Sequence, residues 1–150
     1  MALISEKDAQ AIRDHFAKHL AGDVKLTYFT QHESKLIVPG QECTYCAQTQ
    51  ELLEAVAALS DKVALDIHDF VADEPLAREK GIERIPAFTV EGAAKGTLRF
   101  FGIPSGYEFT SLIEDIVDVS TGTTSLSAKT KEALAALPAD VHIRVFTTPT

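Results

Sequence analysis

The run Cys43-Thr44-Tyr45-Cys46-Ala47-Gln48-Thr49-Gln50-Glu51-Leu52-Leu53-Glu54-Ala55-Val56-Ala57-Ala58-Leu59 carries two patterns at once. It opens with two cysteines spaced C-x-x-C. It then continues at helical period, with Cys46, Leu53, Val56 and Leu59 near one face. Upstream, Val24-Lys25-Leu26-Thr27-Tyr28-Phe29-Thr30 is rich in β-branched and aromatic residues and reads as a strand. Downstream, Val63-Ala64-Leu65-Asp66-Ile67 reads as a second strand. The cysteines therefore open the helix of a β-α-β unit.

Further out, Ser5 and Asp8 form a cap-like pair before a helix over residues 6 to 21, with Ala9, Ile12, Phe16 and Leu20 on its apolar face. Gly22-Asp23 ends it. Glu74 to Lys80 reads as a short helix closed by Gly81. Ala87 to Val90 and Thr97 to Phe101 read as paired strands around Gly92 to Gly96, and Tyr107 to Val119 as an amphipathic helix. The order α-β-α-β-α-β-β-α predicts an α/β fold, a mixed central sheet flanked by helices, with an extra N-terminal helix.

The whole chain narrows the function. Its 150 residues suffice to bury a core without disulfide staples. The net charge of −8 argues against nucleic acid and anionic lipid as partners. No apolar run reaches the ~20 residues of a membrane helix, and the N-terminus lacks the pattern of a secretory signal, so a cytoplasmic location is expected. Only two cysteines are present, three positions apart. A bond between them closes too small a loop to stabilise the fold much, which points to chemistry.

A nucleophilic cysteine works as a thiolate. At a helix N-terminus, unpaired backbone N–H groups and the positive end of the helix dipole favour that anion. Cys43 is the expected attacking thiol and Cys46 the resolving one, with no cofactor required. The competing reading is half of a zinc site, with His15, His19, His32, His68 and His142 as possible further ligands. A third is an inert pair. Ile85-Pro86, about forty residues past the cysteines and directly before a strand, favours the redox reading. The alternative there is an ordinary strand-initiating proline.

C-x-x-C beside a β-α-β pattern, followed by Pro86, resembles the thioredoxin superfamily. The resemblance implies a cis Pro86 packed against the dithiol, with Ile85 offering its backbone to substrate and Tyr45 joining that surface. A narrower resemblance is to the N-terminal half of the protein disulfide oxidoreductases, glutaredoxin-like proteins of two fused thioredoxin folds. It rests on Leu3-Ile4-Ser5, Val24-Lys25-Leu26, Cys43-Thr44-Tyr45-Cys46, the block Phe101 to Phe109, and Glu114 to Ser120. Val145-Phe146-Thr147-Thr148-Pro149-Thr150 is similar to the run leading into that family's second site.

Residues 1–119 are expected to form the first thioredoxin-like domain and 120–126 a linker. Residues 127–150 would be the first helix and strand of a truncated second unit. Val141 to Thr147 matches Val24 to Thr30 at its first, sixth and seventh residues, and a helix precedes each. A chance match of two strands is the alternative. Three departures stand out: the loop Gln31 to Glu42 is about eight residues longer than the family's, no second C-x-x-C is present, and the strand 24 to 30 lacks the acid that thioredoxins bury behind the dithiol. Asp66, Glu42 or Glu33 are candidates to replace that acid. Glutathione use is disfavoured, because Thr44 replaces the typical proline and a glycine pair is missing.

The expected function is exchange of a dithiol and a disulfide with protein substrates. A thioredoxin-reductase-like flavoprotein is a candidate partner. The alternatives are a relay domain passing electrons to a peroxidase, as in alkyl hydroperoxide reductase flavoproteins, and a non-catalytic thioredoxin-fold binding module.

Overall fold

The computed structural model describes residues 4–31 and 42–146. In chain order the elements are α1 (Glu6–His19), β1 (Val24–Thr30), α2 (Cys46–Ala57), β2 (Val63–Asp69), α3 (Glu74–Glu79), β3 (Ala87–Glu91), β4 (Leu98–Phe101), α4 (Tyr107–Thr121) and α5 (Ala128–Ala135). Of the long loop Gln31 to Glu42, residues 32–41, with His32 and Glu33, lie outside the described residues.

The strands form a four-stranded sheet in the order β2-β1-β3-β4. β1 and β2 run parallel, joined through α2, with Val24 opposite Val63 and Thr30 opposite Asp69. β3 lies antiparallel to β1, pairing Phe29 with Ala87, and β4 antiparallel to β3. Strand side chains alternate between faces, and that alternation builds two cores. Val24, Leu26 and Tyr28 of β1 with Phe88 and Val90 of β3 face α1, α2 and α4, where Phe16, Leu53, Val56, Leu112 and Ile116 close the main core. Phe29 and Ala87 point the other way, onto Ala77 of α3 and Ile82.

Local chemistry sets the helix ends. Ser5 Oγ accepts from the Asp8 N–H at 3.1 Å and donates to the Asp8 carboxylate at 2.6 Å. Gly81 follows α3 at φ +69°, a left-handed conformation suited to glycine. α4 runs to Thr121, two residues beyond the expected domain end, and stops at Gly122, whose N–H bonds Asp118 O at 3.0 Å.

The tail differs from expectation. α5 forms behind its cap Ser127 but buries none of its residues. Residues 141–146 form no strand, and Thr147 lies outside the described residues. A strand is held by a neighbour's N–H and C=O groups. No described strand lies beside this segment, and Val141, Ile143, Val145 and Phe146 stand exposed.

Candidate functional site

The end of β1 and the start of α2 build the site. Cys43 and Cys46 are joined by a disulfide with Cα atoms 5.4 Å apart. The helix begins at Cys46, three residues later than its sequence pattern suggests, with Tyr45 as N-cap. Residues 44 and 45 make a turn, and the Cys46 N–H reaches back to Cys43 O at 3.4 Å. Cys43 thus precedes the helix, facing its N-terminal end. The first turn of α2 holds no acidic residue, so nothing in it opposes negative charge at a cysteine sulfur.

The two sulfurs differ in access. Cys46 is 3% exposed, whereas Cys43 is half-buried. Gln31 Oε1 accepts the Cys43 N–H at 3.0 Å and ties the dithiol to the end of β1. From beneath, the Tyr28 hydroxyl donates to the Cys46 carbonyl at 2.8 Å. Thr49 Oγ1 donates to Tyr45 O at 2.7 Å. Burial pushes the Tyr28 phenol above its usual range, although hydrogen bonds with Thr30 and Thr49 pull it partly back.

The Ile85–Pro86 peptide bond is cis. Because Phe29 pairs with Ala87, Pro86 stands at the end of the sheet where β1 runs toward the dithiol. Pro86 is buried, and its carbonyl accepts from the Gly102 N–H at 2.8 Å. Ile85 is partly buried against Phe29 and Ala77. Arg84 is exposed, with its guanidinium 4.9 Å above the Phe101 ring. Tyr45 is 52% exposed, beside the two cysteines. Next to segment 102–106, an apolar groove of about 540 Å³ opens between Ile12, Leu52, Phe109 and Ile113, with Asp8 and Glu114 also lining it.

The other candidates lie elsewhere. Asp66 alternates with the core-facing Leu65 and Ile67, so it projects from the opposite face. There it pairs with Lys25 Nζ at 2.6 Å, and that bond holds its carboxyl below the usual range. Glu42 is exposed in the approach to Cys43. His15 Nε2 lies 3.5 Å from Glu114, too far for a well-formed hydrogen bond, and its ring is 4.7 Å from that of His19. His68 pairs with Asp73 at 3.1 Å. Among the described residues, no group of three or more His, Cys, Asp or Glu side chains converges as a metal site would need.

Tyr28, Gln31 and Thr49 were missed by sequence reasoning. Tyr28 left one signal. It follows Val24 and Leu26 at alternate positions on the inward face of β1, and a buried tyrosine needs a partner for its hydroxyl.

A C-x-x-C disulfide between the first strand of a mixed sheet and the helix that follows it, with a cis-proline entering the third strand, defines a thiol–disulfide exchange fold. Comparison with known proteins agrees. The family described as thioredoxin domain matches residues 34–114, more than half of the chain. A protein disulfide oxidoreductase from Aeropyrum pernix K1 superimposes with a TM-score of 0.71 at 25% identity, over 89% of this chain and 55% of its own. The alkylhydroperoxide reductase AhpF of Enterococcus faecalis does so with a TM-score of 0.73 at 26% identity, over 90% of this chain and 61% of its own. In sequence, the corresponding alkyl hydroperoxide reductase protein of Xanthomonas campestris pv. phaseoli is 32% identical over 97 residues, 64% of this chain. The chain spans only 16% of the length of that curated relative. It belongs to the thioredoxin family, as a thioredoxin-like disulfide oxidoreductase domain.

Proposed function

We propose that this domain exchanges its Cys43–Cys46 dithiol with disulfides in protein substrates. The unequal access of the two sulfurs carries the reading. The half-buried Cys43 attacks a substrate disulfide and forms a mixed disulfide, releasing one substrate thiolate. The buried Cys46 then attacks the Cys43 sulfur, closing the internal disulfide and releasing the second substrate thiol. Cys46, lying under the surface, is poorly placed to meet a protein directly. Tyr45, Ile85 and Pro86 supply the surface on which the substrate chain lies.

The test is reduction of insulin by dithiothreitol with the domain as catalyst. Cys43→Ser is expected to abolish turnover, and Cys46→Ser to accumulate a mixed disulfide. Unchanged turnover in Cys43→Ser would falsify the proposal.

A second reading concerns the electron source. The similarity to alkyl hydroperoxide reductase proteins supports a relay role, taking electrons from a flavoprotein of the thioredoxin-reductase class and passing them to a peroxidase. Reduction of Cys43–Cys46 by such a flavoprotein faster than by glutathione supports the relay. The reverse order excludes it. We also infer that residues 127–150 open a second thioredoxin-like unit, in which the segment from Val141, which makes no strand among the described residues, would become one beside a neighbouring strand. The exposed apolar side chains Leu134, Leu137, Val141, Ile143, Val145 and Phe146 support this, since they suit a core that a further unit would complete.

A further inference from the structure

Thioredoxin-like sites are expected to bury a carboxylate behind the dithiol, yet β1 contributes none. On the face of β1 turned toward α2, at the level of the dithiol, stands Tyr28. Its side chain is fully buried and its hydroxyl donates to the carbonyl oxygen of Cys46 at 2.8 Å. Thr30 and Thr49, both buried, surround it with further hydroxyls. Among the described residues, the polar cluster beneath the resolving cysteine is therefore neutral. A carbonyl oxygen is an acceptor only, so the phenol must keep its proton to hold it.

We propose that Tyr28 is a positioning residue for the resolving step: its hydroxyl fixes the Cys46 peptide plane, and with it the direction of the Cys46 Cα–Cβ bond, so that Cys46 Sγ lies in line to attack the Cys43 mixed disulfide. This rests on the assignment of Cys43 as attacker and Cys46 as resolver. In that step the Cys46 sulfur bonds to the Cys43 sulfur, and the bond between Cys43 and the substrate sulfur breaks. The electron pair leaves with the substrate sulfur, so the dithiol is oxidised and the substrate disulfide fully reduced. The Cys46 proton passes through solvent to the departing thiolate, since a protonated phenol already committed as a donor is a poor base. Burial, which raises the Tyr28 phenol above its usual range, reinforces its standing as a permanent donor.

The two steps can be timed separately in the reduced domain with a chromogenic aryl disulfide. One equivalent of coloured thiolate is released as Cys43 attacks and a second as Cys46 closes. Tyr28→Phe keeps the ring and removes only the hydroxyl. It is expected to slow the second release about tenfold, the scale of one lost hydrogen bond, and to leave the first within about twofold. Unchanged rates in both phases, or equal slowing of both, overturn the proposal. Thr49→Val, which removes a hydroxyl from the cluster but leaves the Tyr28 donor, should slow the second phase less. It carries the test by the same selective criterion should Tyr28→Phe lose its circular-dichroism signature of folding. Cys43→Ser separates the two levels of inference. First-phase release at the wild-type rate in that variant refutes the assignment of attacker, whereas its loss alongside an unaltered Tyr28→Phe refutes only the role of Tyr28.

Discussion

Lys80 and Glu91 show how a single pair ties distant parts of the chain. Lys80 Nζ lies 2.8 Å from Glu91 Oε2, both side chains about three-quarters buried. Burial alone would raise the Glu91 carboxyl. The Lys80 hydrogen bond and charge, with Thr97 and Lys25, outweigh it and leave the group below its ordinary value. A carboxyl depressed in the folded state stabilises the fold above its unfolded pKa and loses that contribution as pH falls through the folded one. Lys80→Met is therefore expected to cost about 1–2 kcal/mol at pH 7, between the worth of exposed and buried pairs. Urea titrations should show the gap from wild type closing as pH falls below the carboxylate range. A gap that persists in acid would assign the loss to packing. At this scale the sequence was partly legible. Ser5, Cys43, Cys46 and Pro86 declare themselves by residue type and spacing. Tyr28 does not, because its partner lies 18 residues away and is a backbone oxygen, which leaves no side-chain signature.

Among the elements, β1 is legible to the residue, since each of its bounds coincides with a change from turn chemistry to β-branched and aromatic residues. The start of α2 is not. Cys43 fits the helical period, but the chain turns through Thr44 and Tyr45 before the first helical residue. Periodicity reports where side chains would face, and it cannot see where the backbone begins to close its hydrogen bonds. Gly92 is a junction that neither period marks. A Cβ there would lie 2.9 Å from Val119 Cγ1 of α4 and 3.0 Å from Asp23 O ahead of β1. Both β1 and α4 thus pack against the turn that leaves β3. Gly92→Ala is expected to destabilise the domain by about 1–3 kcal/mol, the usual cost of overpacking. Chemical denaturation measures it, and an unmoved midpoint would mean that α4 shifts freely.

For the whole molecule, the order of elements carried the α/β class, whereas the division into two cores was not legible, because from Leu26 onward β1 is buried on both faces and its run of residues does not tell one face from the other. The tail shows a further limit. Val141 to Phe146 has strand composition, but composition cannot supply a partner. Since α5 buries none of its residues, ending the chain at Gly122 is expected to shift the melting temperature by no more than about 2 °C and to leave the thiol exchange rate intact. A large drop would mean that the tail braces the core. The placement of the tyrosines has a different consequence. The chain has no tryptophan and three tyrosines, Tyr28, Tyr45 and Tyr107. Tyr28 is bonded to Cys46 and Tyr45 sits between the two cysteines. Disulfides quench phenol emission at close range, so two of the three intrinsic fluorophores sit where they sense oxidation of the site. No indole outshines them, and the molecule thus carries its own optical record of its redox state.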